Sequence, residues 1–280
     1  MILGIFALAL ALLFGIYLFL MMPRVGNRAD TELLLGNYAH RGLWDETIPE
    51  NSLAAFARAV SLGYGIELDV RLSRDRRVMV FHDEDLARMC GVKGKISDYT
   101  FTELRRLRLK GSEQMIPTLD EVLALVRGRV PLMIEIKGAD ASPNAALCVR
   151  VAHRLDTYAG AFSVISFNPL VLSWFKNYRP SFARGQLVTK SRNHKKKGSR
   201  AISLALFLMF FNFVSRPDFL SVKFVYQRRP DLLLCQRLFH TPVFLWTIRQ
   251  KGDYLACRKH GFYAVFERIR PNLHERKSSL

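Results

Sequence analysis

Ile66-Glu67-Leu68-Asp69-Val70 is a short run in which apolar and acidic residues alternate. Side chains of a strand alternate with a period of two, so both carboxylates lie on one face and the apolar residues on the other. Short β-branched or aromatic runs recur after Leu33 and alternate with amphipathic segments, a pattern typical of parallel α/β structure. The predicted strands are residues 37–39, 66–70, 78–81, 132–136, 163–166, 185–188, 219–222, 243–247 and 263–266.

The segments between these strands carry helix signals. Residues 52–62 have apolar side chains at helical spacing, and Thr100-x-x-Glu103 and Thr118-x-x-Glu121 match the capping box of a helix start. The sequence has no nucleotide-type glycine loop, so about eight βα units favour a closed (β/α)8 TIM-type barrel over a doubly wound sheet. Nine predicted strands exceed eight, and we expect the pair flanking Ser73-Arg74-Asp75-Arg76 to form a local hairpin.

Composition limits the class of protein and its partners. The chain has 280 residues, of which 50% are apolar and 24% charged, and this is a globular composition of one or two domains. The net charge of +18 indicates a polyanionic neighbour, which leaves nucleic acid, an anionic membrane and phosphate-bearing substrates open. Four dispersed cysteines without a CxxC pair argue against a zinc knuckle or a disulfide scaffold and favour a reducing compartment.

The first 23 residues differ from the rest of the chain. Residues 1–22 carry no charge, and a helix of this length can cross a bilayer core of about 30 Å. The run is long and lacks a small-residue cleavage site, so we predict an uncleaved anchor at residues 1–23 rather than a signal peptide. Arg24 and Arg28 follow the run, and the positive-inside rule then places a barrel at residues 34–272 on the cytoplasmic side of a single-pass protein.

Functional residues of such a barrel gather at the carboxyl ends of its strands, where this sequence places unusual polar residues. His40-Arg41-Gly42 and His82-Asp83 each follow an apolar strand, although a lone histidine is more often structural. The paired acids Glu67 and Asp69 are costly unless a cation or proton lies between them, although exposed strand-end acids are the alternative.

Glu135 lies inside the apolar strand 132–136 and is expected to have a partner, because an unpaired buried carboxylate is costly. With Glu67 and Asp69 it would supply three oxygen ligands, which suit Mg²⁺ or Ca²⁺ and disfavour zinc. Together with two histidines and the cations Arg41 and Lys137, these groups meet the needs of phosphodiester hydrolysis. One imidazole would take a proton from the nucleophile and the other would protonate the leaving alkoxide.

The ordered set of motifs resembles the glycerophosphodiester phosphodiesterases, which are metal-dependent (β/α)8 barrels related in mechanism to phosphatidylinositol-specific phospholipase C. Each motif is weak alone, but their order across residues 39–137 is specific. Weaker likeness extends over most of residues 36–270. The matching segments are Ala39-His40-Arg41-Gly42, Pro49-Glu50-Asn51-Ser52, Ile66-Glu67-Leu68-Asp69-Val70, Val80-Phe81-His82-Asp83, Ile116-Pro117-Thr118-Leu119 and Ile134-Glu135-Ile136-Lys137.

This resemblance implies a role for each matching residue. Glu50 and Asn51 resemble supporting loop residues, and Glu50 is expected either to orient His40 or to join the metal site. The remaining roles are an acid/base pair at His40 and His82, metal ligands at Glu67, Asp69 and Glu135, and a phosphate clamp at Arg41 and Lys137.

Two departures from the family pattern bear on the substrate rather than on these residues. Arg74-Asp75-Arg76 stands where a Lys-Asp-Gly turn is common and should still turn. Arg249 stands where an asparagine often follows the Trp-Thr segment, and it adds positive charge near the expected substrate mouth.

A further departure is an insert at about residues 190–216. A Lys- and Arg-rich run at 190–200 precedes an apolar run at 201–214, which is too short for a comfortable membrane span. Such a pair suits contact with an anionic lipid surface, where each basic residue contributes about 1 kcal/mol. The alternative is an ordinary barrel helix after a solvated loop, and periodicity does not separate the two.

The sequence therefore predicts a membrane-anchored, metal-dependent hydrolase of a glycerol-based phosphodiester. The attacking group, either water or the substrate's own hydroxyl through a cyclic phosphate, stays open. One alternative is lysophospholipase D activity on a lysophospholipid at the same site, and another is a non-catalytic protein that binds anionic lipid. Nucleic acid is not expected, because the sequence shows no recognised module or stacking platform.

Overall fold

Eight strands form a closed parallel barrel in the computed structural model, which describes residues 2–25, 29–137, 145–190 and 199–272. The order is β1-β9-β8-β7-β6-β5-β4-β2, and pairing of β1 with β2 closes the ring. The predicted (β/α)8 fold is thus confirmed. The strands are Tyr38–His40 (β1), Gly65–Leu72 (β2), Val78–Val80 (β3), Leu132–Ile136 (β4), Phe162–Ser166 (β5), Ala183–Val188 (β6), Phe219–Lys223 (β7), Val243–Ile248 (β8) and Tyr263–Phe266 (β9).

The ninth strand, β3, is accessory. It pairs antiparallel with β2, with Val80 opposite Val70, so the expected hairpin is confirmed. Arg76 adopts φ +62° in its turn, a conformation that glycine accepts more readily.

Helices connect the barrel strands, and the two predicted capping boxes are present. Thr100 accepts the Glu103 amide while Glu103 accepts the Thr100 amide, and Thr118 and Glu121 do the same. The helices are Ile2–Met21 (α1), Leu53–Ser61 (α2), Ala87–Cys90 (α3), Phe101–Leu104 (α4), Leu119–Val126 (α5), Ala145–Leu155 (α6), Pro169–Tyr178 (α7), Ser199–Phe207 (α8), Asn212–Ser215 (α9), Pro230–Leu238 (α10) and Lys251–Lys259 (α11).

Strand alternation divides the apolar core into two layers. Ile66, Leu68 and Val70 of β2 join the large cluster between the barrel and its helices. A smaller cluster on the inner face contains Ile165, Phe219 and other residues of the barrel interior. Glu67 and Asp69 lie on the inner face too, as the period of two predicts.

One helix in the described parts of the chain, α1, is long and apolar enough to cross a membrane. Its residues 2–16 are all exposed, and its last residue, Met21, is buried and accepts a hydrogen bond from Asn212 of α9. The apolar part of the insert forms α8 and α9 rather than one continuous helix. Its basic part, residues 191–198, lies outside the described residues.

Gly185 provides a test of interior packing. A Cβ at this position would lie 2.2 Å from the Phe219 ring and 2.8 Å from Ile165. We expect Gly185→Ala to cost about 1–3 kcal/mol, because overpacking a dense core displaces its neighbours. Gly252→Ala is the matched control, because its Cβ meets nothing within 4 Å. Equal melting temperatures for the two variants in detergent would contradict this account.

Candidate functional site

The predicted polar residues converge in a cavity of about 580 Å³ at the carboxyl ends of the barrel strands. Strand register explains the convergence, because His40 lies opposite Glu67 and Asp69 lies opposite Glu135. Of the nine predicted site residues, Asn51 and Asp69 lie just beneath the cavity lining, and the others line it directly. The lining comprises His40, Arg41, Trp44, Glu50, Glu67, His82, Glu135, Lys137, Ile165, Phe167, Leu187, Ser221, Lys223, Trp246, Thr247, Arg249, Val265, Glu267 and Arg268.

Three buried carboxylates form the base of this site. One oxygen each of Glu67, Asp69 and Glu135 lies within 4.8 Å of the other two. Burial and the neighbouring acids raise the pKa of Glu67 well above its ordinary value. Burial likewise raises the pKa of Glu135 to about 7. Like charges are therefore concentrated at a place that water does not screen.

Two cations, Lys137 and Arg41, offset part of this charge, and the Asn51 amide donates a hydrogen bond to Asp69. Nζ of Lys137 lies 3.0 Å from Asp69 Oδ1 and 2.7 Å from Glu135 Oε1. Burial alone would raise the pKa of Asp69, but Lys137, His82 and Arg41 outweigh it and lower that pKa well below the ordinary value. Asn51 Nδ2 also donates to Asp69 Oδ2 at 2.9 Å.

The donor set of the three acids fits a hard divalent cation. Ca²⁺–oxygen distances of about 2.3–2.6 Å allow two ligand oxygens on one ion to be separated by almost 5 Å, and Mg²⁺ needs only a small contraction. A cation among these oxygens would also offset the repulsion that raises the Glu67 and Glu135 pKa values. The residues present are therefore suitable to hold such an ion.

Local backbone geometry positions Arg41. This residue adopts φ +59°, and its amide donates to Glu67 Oε2 at 3.0 Å. Its guanidinium turns back to Glu50, 2.7 Å from Oε1, and Nε lies 3.6 Å from Asp69. Gly42 follows with φ +81°, and a Cβ there would lie 2.9 Å from Ala55 of α2. His-Arg-Gly thus makes a tight turn over α2 that directs Arg41 into the cavity.

Glu50 belongs to an ion-pair network rather than to the three grouped acids. Besides Arg41 it binds Arg88, whose NH2 lies 2.6 Å from Glu50 Oε1. Arg88 also contacts Asp83 through Nε at 2.5 Å. The network therefore runs from Arg41 to Asp83, and no contact between Glu50 and His40 appears among the described side chains. No sequence motif predicts that Arg88 belongs to this network.

His82 is held by its chain neighbour. Its Nδ1 lies 2.6 Å from Asp83 Oδ1, and Arg88 together with His82 keeps the pKa of Asp83 low against the effect of burial. Because an ionised carboxylate only accepts, Nδ1 carries the proton and Nε2 is an acceptor. Burial lowers the pKa of His82 to about 4. The imidazole is therefore neutral at pH 7.

His40 has an equivalent partner that the sequence analysis missed. Its Nδ1 lies 2.5 Å from Oε1 of Glu267, a residue that directly follows β9. The other Glu267 oxygen accepts from Arg249 Nε at 2.8 Å, and His40 Nε2 lies 3.8 Å from Glu67. The rule that strand ends carry functional residues applies to Glu267 as well, and a search extended to the last strand could have found it.

The comparisons with known proteins agree with this geometry. A family model described as the glycerophosphoryl diester phosphodiesterase family matches residues 40–267. A glycerophosphodiester phosphodiesterase of Bacillus altitudinis is 44% identical over 107 residues, which cover 36% of this chain and 43% of that protein. A lysophospholipase D of Homo sapiens is 33% identical over 135 residues, 43% of this chain and 42% of that protein. The matches thus span less than half the length of these two relatives.

Among solved structures, a phosphodiesterase of Oleispira antarctica in complex with sn-glycerol-3-phosphate is similar, with a TM-score of 0.70. The similarity covers 85% of this chain and 94% of that one at 23% identity. It shows that the two proteins share a fold.

Removal of one acid should have opposite effects on the stability of the metal-free and metal-loaded chain. A carboxyl with a raised folded pKa stabilises the fold below its ordinary pKa, 4.5 for Glu67, and this contribution is lost as the pH rises. Glu67→Gln should therefore raise the melting temperature in chelator by about 2–4 °C per kcal/mol of relieved repulsion at neutral pH, with little change below pH 4.5. The same variant should lose the rise in melting temperature that Mg²⁺ or Ca²⁺ produces.

The control for this experiment is Glu113→Gln, because Glu113 is an exposed acid outside the cavity. It should leave both melting temperatures unchanged. A metal-induced rise in Glu67→Gln as large as in the wild type would show that Glu67 is not a ligand.

Proposed function

We propose that this chain, which belongs to the glycerophosphoryl diester phosphodiesterase family, hydrolyses a glycerol-based phosphodiester to glycerol phosphate and an alcohol. The observation that carries the proposal is the pair of imidazoles at one cavity. Each has an acidic partner on Nδ1, Glu267 for His40 and Asp83 for His82, which leaves Nε2 for proton transfer. A product-bound neighbour and the named relatives support the same reaction.

In this proposal the two histidines are the acid/base pair. One imidazole takes the proton of the attacking hydroxyl as its oxygen bonds to phosphorus. The other gives a proton to the departing alcohol oxygen as the bond between that oxygen and phosphorus breaks. Arg41 and Lys137 bind the phosphate oxygens and stabilise the charge that develops there. The attacking hydroxyl belongs either to water or to the substrate itself, and in the second case water must then open the cyclic phosphate to give glycerol phosphate.

Glu67, Asp69 and Glu135 would hold the divalent ion, Mg²⁺ or Ca²⁺. When bound, such an ion supplies positive charge that polarises the phosphate and lowers the pKa of a coordinated hydroxyl. The crowding of the three acids supports this assignment. Asn51 then supports Asp69, and Glu50 holds Arg41 in place.

A second candidate is lysophospholipase D hydrolysis of a membrane lipid at the same site. The similarity to the human lysophospholipase D favours it, and the two activities differ in whether the substrate must carry an acyl chain. A non-catalytic protein that binds anionic lipid is the remaining alternative, and the complete set of acid, base and cation residues argues against it.

The membrane part of the proposal rests on the N-terminal helix α1 and on the insert in the barrel. Residues 1–23 would anchor the chain, and the barrel at residues 34–272 would lie on the cytoplasmic side, next to Arg24 and Arg28. Residues 190–214 would contact anionic lipid. Support comes from the length and exposure of α1 and from the Lys- and Arg-rich composition of the insert.

The first test is alcohol release from a panel of glycerophosphodiesters and lysophospholipids by the detergent-solubilised protein. We expect turnover with Mg²⁺ or Ca²⁺, none with chelator, and a loss of at least about 10²-fold in His82→Ala because proton transfer is removed. His153→Ala is the control, since His153 is an exposed histidine of α6 away from the cavity. No turnover from folded, metal-loaded wild type, with retained vesicle binding, would favour the binding protein instead.

A second variant tests the partner of His40. Glu267→Gln removes the carboxylate that orients the imidazole and keeps the size of the side chain. We expect kcat to fall about 10–100-fold with KM and melting temperature nearly unchanged, because a positioning residue acts on proton transfer rather than on binding. A fall in stability with unchanged kcat would assign Glu267 a purely structural part.

A further inference from the structure

The C-terminal end of α1 packs beside the segment that leads into β7. Residues later in α1 contact residues later in that segment. In chain order, these contacts join the rings of Tyr17 and Phe210 at 5.8 Å, the Met21 carbonyl and Asn212 Nδ2 at 2.9 Å, and the Arg24 amide and the Pro217 carbonyl at 2.8 Å. The two segments therefore run in the same direction.

That direction is fixed relative to the barrel. Phe207, at the end of α8, contacts the Tyr226 ring at 4.8 Å, and its carbonyl accepts from Arg229 at 2.7 Å. Tyr226 and Arg229 follow β7, so Phe207 lies at the carboxyl ends of the strands. Pro217 precedes β7 and lies at the amino ends. Residues 207–218 and the end of α1 thus run from the mouth of the barrel to its base.

Residues 2–16 of α1 must then project past the carboxyl ends, on the side of the cavity mouth. Exposed apolar side chains lie on the same side, and we call them the apolar rim. Its members follow β5, lie on α8 or follow β7: Phe167, Leu170, Ile202, Leu204 and Val225.

We infer that the mouth of the barrel faces the bilayer and that the apolar rim enters its interfacial layer. The length of α1 supports this orientation. The whole helix is about 30 Å long, equal to a bilayer core, but residues 2–16 account for only about 22 Å. The last turns pack on the insert, so α1 can cross the core fully only where the rim lies at the membrane surface. Tyr17 then takes the interfacial position that tyrosine favours.

Positive charge at the mouth of the barrel also fits a membrane surface. Lys223, Arg249 and Arg268 line the cavity, where they face the phosphate layer of a membrane in this orientation. The inference rests on the proposed function for its consequence, which is that the substrate is a lipid. A phosphodiester on a lipid headgroup would reach the site directly from the bilayer, while its acyl chain stays at the apolar rim.

Lipid quenching of a fluorophore tests the orientation without any turnover. The full chain, with the partly exposed Cys90 changed to serine, is placed in vesicles of phosphatidylcholine and phosphatidylserine. An environment-sensitive dye is attached at Leu204→Cys or, as the matched control, at Leu238→Cys, which lies at the base end of α10. Their exposures are similar, at 55% and 49%. Lipids with a nitroxide on the acyl chain should quench the dye at 204 and not at 238, and equal quenching would overturn the inference.

Activity assays then test separately whether the substrate is a lipid and whether the chain catalyses the proposed reaction. The double variant Ile202→Asp, Leu204→Asp should lose about tenfold or more of its turnover of a lysophospholipid in vesicles, because charged side chains enter the interface poorly. Turnover of a water-soluble glycerophosphodiester should be unchanged, and Leu238→Asp should affect neither. Unchanged lipid turnover in the double variant would overturn the lipid consequence. Quenching at 204 with no turnover of either substrate by the wild type would support the orientation and overturn the proposed function.

Discussion

The repulsion among three buried carboxylates is the constraint on which the rest of the site depends. Glu67, Asp69 and Glu135 are buried on the neighbouring strands β2 and β4, where water cannot screen them. Lys137, the Arg41 amide and Asn51 are arranged around them. The barrel supplies the rigid strands needed to hold like charges this close, because loops would relax away from one another.

A second set of interactions determines the orientation of the side chains at the site. Glu50 and Arg88 join Arg41 to Asp83, and Asp83 fixes the tautomer of His82. On the other side of the cavity, Glu267 does the same for His40. The two histidines come from different strand ends but have the same hydrogen-bond arrangement, with a carboxylate at Nδ1 of each.

Local pattern predicted the strands well, since all nine lie within two residues of the predicted bounds. Their β-branched and aromatic runs and the capping boxes are local properties of the chain. The pairing of Glu267 with His40 could not be predicted, because the two residues are 227 positions apart and only closure of the barrel between β9 and β1 brings them together. The packing of α1 on α9 could not be predicted for a similar reason. An apolar helix with no charges carries no signal for which part of it contacts protein.

The cavity is divided between two halves of the barrel. Strands β1, β2, β4 and β9 and the segments that follow them carry the three carboxylates, Arg41, Lys137 and His40 with its partner. Strands β5 to β8 instead contribute a wall of mixed chemistry, with Ile165, Leu187, Lys223 and Trp246 among its members. Few hydrogen bonds tie this wall to the acids, apart from that between Arg249 and Glu267. Substitutions on one half can therefore change the shape of the cavity while the acids and cations of the other half stay constant, so the two halves of the barrel can vary independently.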